Sequence, residues 1–392
     1  MDTKLAPEFR LLLLAAQASR TPERADALDR AVQEPIDWTI LIAGAQRHGL
    51  SSSLLAATGR VSGVPAQALA KMRRLATRRA AATLARVEET VRVAGAFRRA
   101  GLRFLVVKGV PLSVQLHGNP AARDARDIDV IVEAGEIARA GDALGAIGYD
   151  PLDGELPAPE LASRFERTKE IKFVHRASGT CVELHHRLTD NPELLPWTFD
   201  TLWQERENVS VAQGEIPTLA RHRLAPYLCV HGATHCWARL IWLVDLATAV
   251  AAPEAASPAL AQATELGFEP LMLHAMTLAS NWLKVPIPDA CRARARRSSR
   301  IACLDFIVKR FFSGARWRGE APPGSAGRFV RYSIWLRLYR YAMKSSWRYW
   351  RRELAGELLS ADDRKAFRVP DQLRFLYPVL RPVGWLIRRL RT

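Results

Sequence analysis

The chain has 392 residues, room for two or three domains at roughly 100–200 residues each, and 48% of them are hydrophobic against 25% charged. That balance belongs to a globular protein with a sizeable core and excludes collagen-like, low-complexity and wholly disordered chains. The 57 Lys and Arg exceed the 40 Asp and Glu by 17, and the excess is confined to one end: 25 basic and 7 acidic residues lie between Cys291 and Thr392, against 32 and 33 before them.

The five cysteines (181, 229, 236, 291 and 303) include no C-x-x-C pair, which predicts reduced thiols in a cytoplasmic protein. No run approaches about 18 uninterrupted apolar residues, so no transmembrane helix is expected. The apolar run Leu11–Ala16 follows Lys4, Glu8 and Arg10 and is soon interrupted by Gln17 and Arg20, which predicts an amphipathic helix rather than a signal peptide.

Residues 1–80 are rich in Ala, Leu and Arg and predict an N-terminal region of short helices, with breaks at Asp37-Trp38 and at Gly63-Val-Pro65. Residues 81–190 change character. Val87–Gly101 has helical spacing and a glycine stop; Arg103–Val107 predicts a strand, Val110–Leu116 a short helix, and Ile128–Val132 a second strand. Ile137–Ile147 predicts another helix, and Ile171–His175 with Cys181–His185 a final strand pair turning near Ser178-Gly179. The order α-β-α-β-α-β-β predicts a small α/β sheet unit inside a mostly helical, α+β protein. Residues 191–312 return to helical periodicity, longest over Leu224–Val250, and predict a helical domain closing a cleft. A Gly/Pro/Ser-rich loop at 313–327 opens a basic, aromatic, helical C-terminal region, 313–392.

The chemistry concentrates between 108 and 185. Residues i and i+2 of a strand share a face, so Asp127 and Asp129 present two carboxylates on one side with Ile128 on the other. Two like charges so close repel unless cations share them. Mg²⁺ (or Mn²⁺) suits such a pair because it takes oxygen ligands and keeps positions for substrate phosphates. Glu183, alternating with Val182 and Leu184, is the natural third acid of a two-ion clamp for in-line phosphoryl transfer. Gly109, directly after a strand and opening a helix, lets backbone N–H groups approach phosphate, with Lys108 as an adjacent cation.

Strand, Lys-Gly, helix, then Arg123-x-x-x-Asp127-Ile-Asp129 and a later Glu183-Leu-His185 resembles the DNA polymerase-β-like nucleotidyltransferase superfamily, and more closely a bacterial group of nucleotidyltransferase family proteins. The resemblance covers roughly residues 85–250. It implies a polymerase-β-like sheet domain, with Asp127, Asp129 and Glu183 as metal ligands and catalytic residues. Lys108, Gly109 and Arg123 become nucleotide-binding residues, and His185 a supporting one. Two departures stand out: Lys108-Gly109 replaces the superfamily's usual Gly-Ser, and Glu183 its usual aspartate. His231 and His235, four apart, have three readings: a half zinc site, core histidines, or a face lining the cleft. The resemblance favours the cleft.

The expected reaction is transfer of an NMP from an NTP, with ATP as the expected substrate, to a hydroxyl-bearing small molecule, sugar or peptide, with pyrophosphate leaving. The alternative is a non-catalytic nucleotide-binding protein whose basic end binds anionic membrane or nucleic acid. Interleaved Arg and aromatics in Arg328–Tyr332, Tyr339–Tyr341, Trp347–Arg352 and Gly384–Arg391 read first as a solvated basic helical face that packs its aromatics on the catalytic domain. As a binding surface they suit anionic lipid at the inner face of the membrane ahead of RNA, which would need a recognised binding motif, or an acidic protein or peptide.

Overall fold

The computed structural model describes residues 5–19, 21–123, 126–152, 154, 168–211, 214–312, 317 and 326–358, the side chains of 253, 326–333 and 358 excepted. The segment Gly384–Arg391 and most of the loop expected at 313–327 lie outside the described residues.

Four short helices come first: α1 (Pro7–Ala16), α2 (Pro22–Val32), α3 (Trp38–His48) and α4 (Ser51–Thr58). Asp37 caps α3, its carboxylate accepting from the N–H groups of Thr39 and Ile40, which is why the chain breaks there. The four leucines 11–14 of α1 are all buried, because neighbouring helices surround α1. The expected amphipathic helix is thus a core helix. Next, α5 (Ala66–Arg99) is longer than its apolar periodicity predicts, since good helix formers extend it through an exposed basic stretch.

The sheet follows as β1 (Phe104–Val106), α6 (Gly109–His117), β2 (Asp127–Val132), α7 (Ile137–Gly145), β3 (Tyr149–Pro151), β4 (Glu170–His175) and β5 (Cys181–His185). Strand order is β1-β2-β5-β4-β3, with β2 and β5 parallel and the other pairs antiparallel. Ile128, Val130, Val132, Val182 and Leu184 pack one face of the sheet with Val93 and Phe97 of α5 and Leu144 of α7. Leu105, Val107 and Ile131 face the opposite way, into the helical core. Asp127 and Asp129 share that second face with Ile131 by alternation.

Beyond the sheet come α8 (Phe199–Glu205), the hairpin β6 (Glu207–Val211) and β7 (Gly214–Thr218), then α9 (Arg221–Thr234), α10 (Leu240–Ala249), α11 (Pro253–Glu265), α12 (Glu269–Leu283), α13 (Asp289–Arg296) and α14 (Ser299–Phe312). Helices α15 (Ala326–Ala342) and α16 (Trp347–Leu358) end the described chain. The single periodic segment expected over Leu224–Val250 is two helices. Trp237 turns back into the core against Gly232, where any side chain would strike its ring, and Cys236 and Trp237 take positive φ values of 50° and 57°. Helices α1–α4, α9–α12, α14 and α15 share one hydrophobic core, while Cys291 and Ala295 of α13 pack in a small separate cluster with Leu273 and Ile301; Phe9 stacks on Phe312 at 5.2 Å between centroids. The fold is α+β, a five-stranded sheet embedded in helices. Among the described residues no single helix is long and apolar enough to cross a membrane.

Candidate active site

Parallel pairing of β2 and β5 sets Asp129 beside Glu183, Asp127 beside Cys181 and Ile131 beside His185. On the other flank of β5, Lys172 stands opposite Glu183 and Glu170 opposite His185. One sheet face thus carries four carboxylates and their cations. Asp129, 1% exposed, lies at its centre: Lys108 Nζ is 2.6 Å from its Oδ1 and His185 Nε2 3.3 Å from the same atom. His185 Nε2 is also 3.7 Å from Glu183, and its Nδ1 3.6 Å from Glu170. Lys172 Nζ lies 2.5 Å from Glu183 and 3.4 Å from Glu170.

These contacts decide the protonation states. Burial alone would raise the pKa of Asp129, but Lys108 and His185 hold it well below the usual carboxylate range. Glu183 settles at about 2, burial and Asp129 being outweighed by His185 and Lys172. Asp127 moves the other way, raised by burial and by the negative Asp129. His185 is raised despite burial, because Asp129 and Glu183 favour its cation.

A ligand atom from each of Asp129, Glu183 and His185 falls within 4.8 Å of the other two. Neither carboxylate oxygen of buried Asp129 has a well-directed hydrogen bond. Two carboxylates and an imidazole on one buried face are a donor set that fits a divalent cation such as Mg²⁺ or Mn²⁺. Asp127, half-buried on the same strand face, stands outside that compact group.

The turn expected to receive phosphate lies between β1 and α6. Lys108 precedes the first residue of α6, and Gly109 has φ of 63°, in the left-handed region that costs glycine little. The free N–H groups at the start of α6 are the backbone donors expected there.

Arg123, expected to bind nucleotide, meets the second helical element. Its Nε donates to both carboxylate oxygens of Asp245 on α10, at 3.0 and 2.8 Å, and both side chains are buried. A guanidinium so paired ties the segment entering β2 to the helical core. His231 lies on α9 and His235 is the residue that caps its C-terminus, so the expected shared face falls at the very end of the helix. Their rings still meet at 5.2 Å, and each packs against Trp242, at 5.2 and 4.9 Å. Burial and then Lys108 push His231 well below the ordinary histidine pKa, while Asp129 opposes them, so it is a neutral imidazole within reach of the acidic cluster's field.

Glu170, Lys172 and Tyr227 are site residues that sequence reasoning missed. Glu170-Ile-Lys172-Phe carries the same two-residue alternation as Glu183-Leu-His185, a usable signal. Tyr227 gives none, since it sits within an apolar helix and meets Lys108 and Asp129 only through folding.

A family profile described as an uncharacterised nucleotidyltransferase matches residues 34–284. No curated protein and no solved structure matches significantly. The matched span takes in the Lys108-Gly109 turn, both aspartates, Glu183-Leu-His185 and α9–α10, well over half of the sequence, and on that basis the chain belongs to this nucleotidyltransferase family.

Proposed function

We propose that the protein transfers an NMP from an NTP, ATP being the expected donor, to a hydroxyl on a small-molecule, sugar or peptide acceptor, releasing pyrophosphate. The observation that carries this reading is the convergence of Asp129, Glu183 and His185 on one sheet face, with Lys108 on Asp129. Asp129 and Glu183 would hold divalent cation, His185 completing the group, and Asp127 on the same strand face would serve a second ion. Bound there, such ions neutralise the triphosphate and lower the pKa of the attacking hydroxyl. Lys108 and the α6 N-terminus would hold phosphate oxygens through charge-assisted bonds. His231, neutral and half-buried, is suited to take the acceptor's proton. The test is incubation of the full chain with each α-labelled NTP and Mg²⁺ or Mn²⁺ against fractionated cell extract. Label in the small-molecule or protein fraction with pyrophosphate release is expected; no pyrophosphate from any NTP would leave a nucleotide-binding protein without transfer.

A second observation supports an anionic lipid surface as partner. On α16, Trp347, Trp350 and Leu354 are 73%, 38% and 48% exposed, one stripe at helical spacing flanked by Arg348, Arg351 and Arg352. Removing these helices would not test it, because Tyr339, Met343 and Tyr349 are buried in the core. The double substitution Trp347→Ala/Trp350→Ala is expected to abolish sedimentation with anionic vesicles at about 0.1 M salt, where the Debye length is about 10 Å. Tight RNA binding in place of vesicle binding would assign the basic face to nucleic acid.

A further inference from the structure

Beside the acidic cluster lies a group of arginines that the reading above does not use. Arg126 immediately precedes Asp127, Arg239 is the residue before α10, and Arg79 comes from the middle of α5. All three converge on the C-terminal end of α3. Arg126 and Arg79 each donate an Nη2 hydrogen to the carbonyl of Gln46, at 3.3 and 3.4 Å, and Arg239 Nε donates to the carbonyl of Arg47, at 3.1 Å. Among the described residues neither Arg126 nor Arg239 forms an ion pair. The nearby Asp245 is engaged by Arg123. Arg239 Nη2 is buried and has no hydrogen-bond partner, while its guanidinium lies 5.8 Å from the Trp242 ring that also packs on His231.

A helix C-terminus offers about half a negative charge, which leaves Arg126 and Arg239 here with little compensation. Burial first, then Arg126 and Arg123, lower Arg239 to about 10. Such a cluster is costly unless an anion completes it.

We propose that Arg126 and Arg239 hold the pyrophosphate end of the nucleoside triphosphate, continuing past Asp127 the phosphate track that begins at the Lys108-Gly109 turn. This rests on the nucleotidyltransferase reading above. The planar fork of arginine matches paired phosphate oxygens, and the orphaned Nη2 of Arg239 is a donor with that geometry. The leaving group's charge would be gathered here, away from the nucleoside.

The experiment is calorimetric titration of the full chain, and of its Arg126→Gln and Arg239→Gln variants, with inorganic pyrophosphate, Mg-ATP and AMP. Arg126 is exposed, so its variant keeps the fold even if Arg239→Gln loosens α10; circular dichroism checks both. Expected is a loss of about tenfold for pyrophosphate and for ATP, about 1.4 kcal/mol, with AMP unchanged. Unchanged pyrophosphate affinity in both variants overturns the proposal. A loss for pyrophosphate but not for ATP also overturns it, and moves the anion site to a phosphate borne by the acceptor. If the binding losses appear but the wild-type chain transfers no nucleotide to any acceptor, the functional reading fails while this phosphate site stands.

Discussion

Asp129 and Glu183 sit side by side across β2 and β5, yet their counter-ions differ in a way that separates catalysis from stability. Lys108 and Asp129 are both nearly removed from solvent, whereas Lys172, the partner of Glu183, is 43% exposed. Neutralising a buried carboxylate strands its cation, at a cost of about 3–5 kcal/mol, while an exposed lysine turns into water at little cost. Asp129→Asn is therefore expected to lower unfolding free energy in urea by about 3 kcal/mol, and Glu183→Gln by less than about 1 kcal/mol. Both are expected to lower nucleotidyl transfer by about a hundredfold or more, since each removes a group placed to hold the cation. Near-normal turnover in Asp129→Asn would remove it from the reaction. At this scale the D-x-D and E-x-H spacings carried the information, because a strand's two-residue period is local. That Lys108 reaches Asp129 is not local.

The segment before β2 and the hairpin β6–β7 are held by interactions with no counterpart in hydrophobic periodicity. The Arg123–Asp245 pair joins residues 122 apart in the chain, fixing the segment before β2 against α10. Breaking one side leaves a buried charge alone, so Asp245→Asn or Arg123→Met is expected to cost about 3–5 kcal/mol. The double change to apolar residues, Arg123→Met/Asp245→Leu, is expected to recover most of that loss. Equilibrium unfolding of the three variants checks this cycle. A single variant of wild-type stability with weakened ATP binding would return Arg123 to the phosphates. The hairpin β6–β7 and the short β3 were not expected. In the hairpin, Ile216 is buried in the sheet's core and the hydroxyl of Thr218 donates to the carbonyl of Val106 at 2.6 Å. Tertiary contact supplied what strand propensity did not.

Across the whole molecule, His48 ties three distant parts of the chain together. Its Nε2–H donates to the carbonyl of Trp317 at 2.7 Å, and its Nδ1 accepts from the N–H of Leu240 at 3.1 Å. Burial, with smaller contributions from Arg47 and Arg239, pushes its pKa down to about 4 although the Trp317 bond favours its cation. The unfolded chain therefore binds the proton first, so this histidine's stabilising effect is complete above about pH 6.5 and is lost as pH falls toward 4. Between pH 7 and 5 it should remove about 2 kcal/mol, and His48→Gln should flatten that part of the stability curve in urea unfolding. An identical slope in the variant would show that His48 does not titrate on unfolding. Periodicity and glycine stops along the chain were enough to place β1, β2, β4 and β5, the helices between them, and the acids on one face, because each depends on neighbours a few residues away. The burial of α1 among α2–α4 and the distant α12, the pairing of Arg123 with Asp245, the break at Cys236-Trp237, and the arginines gathered at the end of α3 were decided by packing. They bring together groups tens to hundreds of residues apart, where burial and charge compensation act through space and leave no period in the sequence.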